Sequence, residues 1–277
     1  MNAAVAIIAG KEVRDGLRNR WVVAMTLLMA ALALTLTLVG SAPTGTVGVS
    51  ALSATIVSLS SLTIFLVPLI ALLISYDAIA GELERGTMAL LLSYPVSRSA
   101  VVAGKFLGAT VILSIATVVG YGAGGVALAF GSGAAEPGAW GAFAAMMGSS
   151  VLLGMVFIAL GYVASAWVRD PHTAGGIAIG MWLLFALIYD MVLLGLLVAD
   201  QGRLMTIGVL NVLLLANPTD VYRLLNFTSF SDVSQFAGMA GLAQHVRFGA
   251  PALAAVLGAW VVIPLTGAIL LFKRREL

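Results

Sequence analysis

Residues 51–85, ALSATIVSLSSLTIFLVPLIALLISYDAIAGELER, run from a charge-free stretch at 51–76 into Asp77, Glu82, Glu84 and Arg85. A helix needs about 20 apolar residues to cross a hydrocarbon core about 30 Å thick, so the first part reads as a membrane span. The second part reads as a short charged helix at the end of that span. Gly86 and the Tyr94-Pro95 pair break it, which gives a short rod lying parallel to the membrane.

The rest of the chain has the same character. Of 277 residues, 61% are hydrophobic and 9% are charged. Soluble domains average about 25% charged residues, so this composition cannot clothe a water-soluble surface. The chain is therefore an integral membrane protein. Further apolar runs occur at 22–39, 106–135, 137–168 and 248–272, with another at 173–199 interrupted only by Asp190. The expected fold is an all-α polytopic membrane domain, residues 1–277, with six transmembrane helices and both termini on one side. Residues 22–39 are long enough to span and lack a clear small-residue cleavage site, so they read as a retained helix rather than a signal peptide.

Basic residues orient the bundle. Lys11, Arg14, Arg18, Arg20, Arg85, Arg98, Lys105, Arg169, Lys273, Arg274 and Arg275 fall on one side, and only Arg203, Arg223 and Arg247 on the other. The positive-inside rule makes the first side cytoplasmic. On that side lie the segment 1–20 and the loop 77–98. On the outer side lies an insert at about 200–247 between helices 5 and 6. Within it, 204–216 is short for a crossing and reads as a surface or partly re-entrant helix.

Several chemistries are excluded or weakened. There is no cysteine, hence no disulfide and no thiolate metal ligand. His172 and His245 fall in loops on opposite sides, and no metal site is expected. The Gly10-Lys11 and Gly104-Lys105 pairs lack the remainder of a nucleotide-binding P-loop, so the chain does not hold ATP that way. No nucleic-acid partner is expected.

Asp190 is the one ionisable residue well inside a span. An intramembrane carboxyl is costly and marks a functional site by default; the alternative is a carboxyl near the outer interface bonded to a neighbouring helix. The charged rod also has two readings. Its acids either face water or a partner, or pair with Arg85, Arg98 and the N-terminal bases. In the N-terminal segment, Val13, Leu17 and Trp21 share one helical face and Lys11, Arg14 and Arg18 another, which suits an interfacial helix meeting membrane lipid. Outside, ANPTDVYRLLNFTSF (216–230) carries a helix-start signature: Asn217 caps, Pro218 takes the first turn, and Asp220 is spaced to pair with Arg223. Phe227, Phe230 and Phe236 follow, packing either on the membrane face or at a protein interface. Gly104/Gly108, Gly120/Gly124 and Gly176/Gly180 are spaced for close helix packing, within a subunit rather than at a dimer seam.

YDAIAGELERGTMALLLSYPVSRSAVVAGKFLG (76–108) resembles the cytoplasmic signature of ABC-2-type transporter permeases, and GKEVRDGLRNRW (10–21) resembles their amphipathic N-terminal helix. NPTDVYRLLN (217–226) is similar to a narrower group, the permeases of ABC complexes required for maturation of nitrous oxide reductase. The resemblance spans the chain and implies an ABC-2-type permease fold in a bacterial inner membrane. It also implies a homodimer, two cytoplasmic ATPase subunits holding ATP and magnesium, and a periplasmic β-helix partner, with no cofactor in this chain. Asp77, Glu82, Glu84, Arg85, Gly86 and Thr87 would then form or flank the helix that docks on the ATPase. Asn217, Pro218, Thr219, Asp220, Tyr222 and Arg223 would contact the periplasmic partner. The expected function is to couple ATP hydrolysis on another subunit to passage of a species, such as a sulfur-containing one, or to motion of the outer partner, for assembly of a copper–sulfur centre. Two other readings stand beside it: an ABC-2-type exporter of a drug, ion or lipid, and a secondary transporter using Asp190 as its proton site.

Overall fold

The structure is a computed structural model that describes residues 2–40, 51–131, 139–200, 207–229 and 248–275. Helices α1 (Asn2–Leu17) and α2 (Arg20–Gly40) are followed by α3 (Ala51–Ser75) and two short pieces, α4 (Ala80–Glu84) and α5 (Thr87–Leu92). Then come α6 (Arg98–Gly131), α7 (Ala139–Trp167), α8 (Pro171–Leu183), a π-helical turn (Leu184–Ile188) and α9 (Tyr189–Asp200). Helices α10 (Ile207–Leu215), α11 (Pro218–Ser229) and α12 (Ala250–Arg274) complete the order. Among the described residues there is no strand.

Among the described residues, six helical stretches are long and apolar enough to cross a membrane: Arg20–Leu38, Thr55–Glu84, Arg98–Phe130, Trp140–Trp167, Pro171–Ala199 and Ala250–Arg274. They coincide with the six expected from charge-free runs, and the chain is a multi-pass membrane protein.

Helix α7 is the post of the bundle, packed along α12 and α3 with α6 beside it. Helix α6 has 34 residues, roughly 51 Å at 1.5 Å per residue, and so outreaches a hydrocarbon core of about 30 Å. Its two halves receive different partners. At the first, a Cβ on Gly104 would lie 2.8 Å from Ile8 Cβ, and one on Gly108 2.5 Å from Glu12 Cβ. Only glycine lets α1 lie this close. The second half takes α2, with Gly120 against Met29 and Gly124 against Ala33 and Thr37. These two glycine pairs serve packing within the subunit. Gly176 and Gly180 meet nothing within 4 Å.

The end of the bundle that carries α1 and the end of α12, the terminal face, is tied by arginines that cap helix carbonyls. Arg98, at the start of α6, donates to the carbonyls of Phe272 (3.0 Å) and Lys273 (3.0 Å) in the last turn of α12 and of Arg275 (2.6 Å) just after it. Arg275 in turn donates to Val168 O at 2.8 Å and, more loosely, to Ser165 O and Ala166 O at the end of α7. The last carbonyls of a helix have no partner within it, and a guanidinium satisfies several at once.

Toward the opposite face, α10 is nine residues long, about 14 Å, too short to cross. The link between α10 and α11 nonetheless lies deep. The Trp260 indole N–H donates to Leu215 O at 3.1 Å, and Trp260 sits ten residues, about 15 Å, along α12 from Ala250. The described part of the stretch read as a surface or partly re-entrant helix, 207–216, thus packs on α11 and is tied at its end to α12. Arg203, Phe230, Phe236, His245 and Arg247 lie outside the described residues, as does the Phe227 side chain.

Candidate functional site

The charged rod leaves α3 through a turn at Tyr76–Ile79 and is held from beneath. Ser165 Oγ, on α7, accepts the backbone N–H groups of both Ile79 and Ala80 at 3.0 Å. This hydroxyl does for α4 what an N-cap side chain does within one chain segment. Gly86 then takes the left-handed conformation, with φ of 72°, and turns the chain into α5. Thr87 Oγ1 closes the corner by donating to Glu82 O at 3.2 Å.

Placement of the expected ATPase-docking residues divides them into two sets. Glu84, Arg85, Gly86 and Thr87 are exposed together at the corner. Leu90 and Tyr94 are 69% and 68% exposed and extend that surface with apolar area. Glu82 is a correction to the sequence reading that grouped it with the outward acids, because its residue is only 7% exposed. The helical offset of three residues sets it on the face of buried Ile79, and five residues are too few for that face to be legible as a period. Asp77 is half-buried, with its carboxylate 3.9 Å from Arg85.

Glu82 turns inward to meet a lysine. Lys105 Nζ lies 2.7 Å from Glu82 Oε1 and 2.7 Å from Glu12 Oε1, and its side chain is 2% exposed. Lys11 Nζ adds a longer contact to Glu82 at 3.4 Å. Lys11 also lies 3.5 Å from Asp15, so two lysines here face three carboxylates. They join the N-terminal helix, the rod and α6 at a single point. An open cavity of about 620 Å³ lies beside this clasp, lined in part by Asp15, Tyr76 and Trp21. The alternative in which the rod's acids pair with N-terminal bases thus holds for Glu82. Its decisive partner, Lys105, had been counted only as an orienting charge. A lone base at the threshold of a charge-free run was the available signal.

The 216–230 motif is built as its helix-start signature predicts. Asn217 Oδ1 accepts from Thr219 N at 3.1 Å, and Arg223 lies 2.8 Å from Asp220 one turn on. What it caps and faces differs from the expectation. Asn217 Nδ2 and Thr219 Oγ1 both donate to Phe185 O, at 3.1 and 2.9 Å. Phe185 lies in the π turn, whose wider i→i+5 spacing disturbs the regular ladder of carbonyl partners and leaves room for such side chains. Asn217, Thr219, Asp220, Tyr222 and Asn226 are all buried. Tyr222 hydroxyl pairs with Ser150 at 3.0 Å, and Asn226 accepts from Ser149 at 3.2 Å, both on α7. Buried side chains do not present themselves to another protein. Asn217, Pro218, Thr219, Asp220 and Tyr222, expected as partner contacts, are buried in this structure and seat α11 in its own bundle, while Arg223 is only part-buried.

Asp190, the intramembrane carboxyl, completes that seat. Its Oδ2 lies 2.8 Å from Arg223 Nη2, while Arg223 Nη1 lies 2.8 Å from Asp220. One guanidinium on α11 thus bridges a carboxylate of its own helix to one on α9. Burial raises the Asp220 carboxyl to about 7; Arg223 opposes the rise and Asp190 adds to it.

Among the described residues no group of three or more His, Asp or Glu side chains is arranged to hold a metal ion. A family model described as ABC-2 family transporter protein matches residues 6–277. A protein of Stutzerimonas stutzeri named "Probable ABC transporter permease protein NosY" is 45% identical over 270 residues, 97% of each chain. A protein of the same name from Pseudomonas aeruginosa is 45% identical over 271 residues, 98% of each chain.

Proposed function

This chain belongs to the ABC-2 family of transporter proteins as a multi-pass permease of an ABC transporter, and we propose that a separate ATPase subunit drives it through the exposed corner Glu84–Thr87. A permease of this kind works with ATPase subunits. In our reading they dock on the cytoplasmic face, two to a permease homodimer, and bind ATP and magnesium themselves. The observation that carries the proposal is the division of the rod. Glu84, Arg85, Gly86 and Thr87 are exposed, while Glu82 is clasped to Lys105 beneath them. A push on the outer corner is then delivered to α1 and α6 through the clasp, and to α7 through Ser165. A loose charged loop would absorb that motion.

Two further elements of the proposal draw on the names of the relatives and on the 216–230 motif. The complex serves maturation of nitrous oxide reductase, by passing a sulfur-containing species or by moving a periplasmic β-helix partner, rather than by conducting copper. The absence of cysteine supports this, since soft copper ions favour thiolate ligands. The periplasmic partner meets parts of the 200–247 insert other than the buried Asn217–Asn226 face. Homodimer contact is supported by the apolar surface of α8, the π turn and α9, where Ile179, Leu184, Met191 and Val198 are exposed.

The test is co-purification. Glu84→Arg reverses a charge at the corner and is expected to reduce recovery of the ATPase subunit about tenfold or more, with the permease still inserted. Undiminished recovery would overturn the docking assignment. Stoichiometric copper in the purified permease, lost when its methionines are replaced, would overturn the exclusion of copper.

A further inference from the structure

Two cavities meet at Tyr76. The open one beside the clasp, about 620 Å³, is lined by charges of both signs, among them Lys11 and Arg85, Asp15 and Asp77. A second, about 270 Å³ and largely apolar, lies between α3 and α8, where Leu69, Leu72, Gly175 and Gly176 line it. Leu73 and Tyr76 line both, so a charged chamber and an apolar groove share one wall.

Their order along α3 is that of a phospholipid. Tyr76 is the first residue past α3, and Trp21, 71% exposed, stands at the charged chamber. Tyrosine and tryptophan favour the level where membrane meets water, which puts the chamber at headgroup depth. Beyond the deep end of the groove, the Trp182 indole donates to Phe65 O at 2.9 Å and ties α8 to α3. From Phe65 to Tyr76 is eleven residues, about 16 Å along the helix. That is about one leaflet of a hydrocarbon core about 30 Å thick, so the groove lies at acyl-chain depth.

The chamber is equipped for a headgroup with two charges. Lys105 commits its ammonium to two contacts of 2.7 Å. Lys11, by contrast, lies 3.5 Å from Asp15, and Arg85 3.9 Å from Asp77. Both exceed the about 2.7–2.9 Å of a charge-assisted hydrogen bond, so these side chains keep donors and acceptors for a ligand. The bases suit a phosphate and the carboxylates an ammonium. An ethanolamine headgroup carries both a few bonds apart, whereas a glycerol headgroup would set its phosphate against the carboxylates with no ammonium to meet them.

We propose that the chamber beside the clasp and the α3–α8 groove form one binding site for a glycerophospholipid with an ethanolamine headgroup. Its ammonium lies at Asp15 and Asp77, its phosphate at Lys11 and Arg85, and one acyl chain runs along Leu69, Leu72 and Gly176. The bound lipid braces the rod against α1 and α8, whether or not an ATPase subunit docks at the corner.

The experiment mixes the full chain, purified in detergent, with equal amounts of phosphatidylethanolamine and phosphatidylglycerol of matched acyl chains, and weighs the complexes by native mass spectrometry. The expected result is a single phosphatidylethanolamine retained per chain, about tenfold in preference to phosphatidylglycerol. A Cβ on Gly176 meets nothing within 4 Å, so Gly176→Leu fills the groove without a clash and should lower lipid retention about tenfold. Asp15→Asn combined with Asp77→Asn should keep the lipid and abolish the headgroup preference. Equal retention of the two lipids, a preference for phosphatidylglycerol, or an undiminished preference in the double variant would each overturn the proposal. So would unchanged retention in Gly176→Leu, and an altered oligomeric state alongside it would assign the groove to a second copy of the chain. The wild-type competition decides by itself should a variant fail to insert.

Discussion

Single residues set the two points on which this permease turns. Lys105 is buried between Glu12 and Glu82, so replacing it removes the centre of a charge network and leaves two carboxylates facing each other. Lys105→Met is expected to destabilise the protein by about 3–5 kcal/mol, measured as a lowered thermal midpoint in detergent. Adding Glu82→Gln should recover part of the loss, because it removes one of the two stranded charges. The cluster of Asp190, Arg223 and Asp220 responds to pH instead. Asp220 has its folded pKa raised to about 7, so between the ordinary carboxylate pKa and 7 the folded state binds more protons than the unfolded one. Stability therefore falls as pH rises through that window and levels off above it. Thermal midpoints taken across the window should show this slope in the wild type and a flatter one in Asp220→Asn. Asp190 stood out in the sequence as the lone charge of its span; its partners, thirty or more positions away, did not.

At the scale of elements, the seat of α11 depends on an irregularity in another helix. The π turn at Leu184–Ile188 offers the Phe185 carbonyl, and the capping end of α11 takes it with two side chains. Thr219→Val removes one of those donors and the hydroxyl's bond to Asn217, and is expected to cost about 1–3 kcal/mol by thermal unfolding, with α10 and α11 becoming accessible to protease first. The cap itself was legible from Asn217, Pro218 and Asp220, because a helix start is a local event. The π turn was not legible, since LFALI carries no local signature and the turn is specified by what packs on it. A similar contrast holds for α1. Spacing suggested an apolar face through Val13, Leu17 and Trp21, whereas the contact of α1 with α6 runs through Ile8 and Glu12 against Gly104 and Gly108, nearly a hundred residues away, and Trp21 belongs to α2. Gly108→Leu should expel α1 from α6, since the new side chain would occupy the space of Glu12, and should break the clasp with it.

Across the whole molecule, the orientation derived from basic residues is open to a direct test. The chain has no cysteine, so a single introduced thiol reports without background. Glu84→Cys on the exposed corner should react with an impermeant reagent only from the cytoplasmic side. Gly141→Cys, exposed at the start of α7, should react only from outside. Labelling of both from one side would reject the six-span orientation. The spans, their number and the presence of a charged rod followed from the sequence alone. Apolar runs of bilayer length admit one physical outcome, and helices satisfy their own backbone where no water is available. Which acid of the rod points outward, which lysine receives the other, and that NPTDVYRLLN faces its own bundle were decided only by tertiary structure. Those outcomes depend on side chains meeting across distances that no local period records. In an apolar interior, each buried charge is settled by whichever partner the packing brings to it.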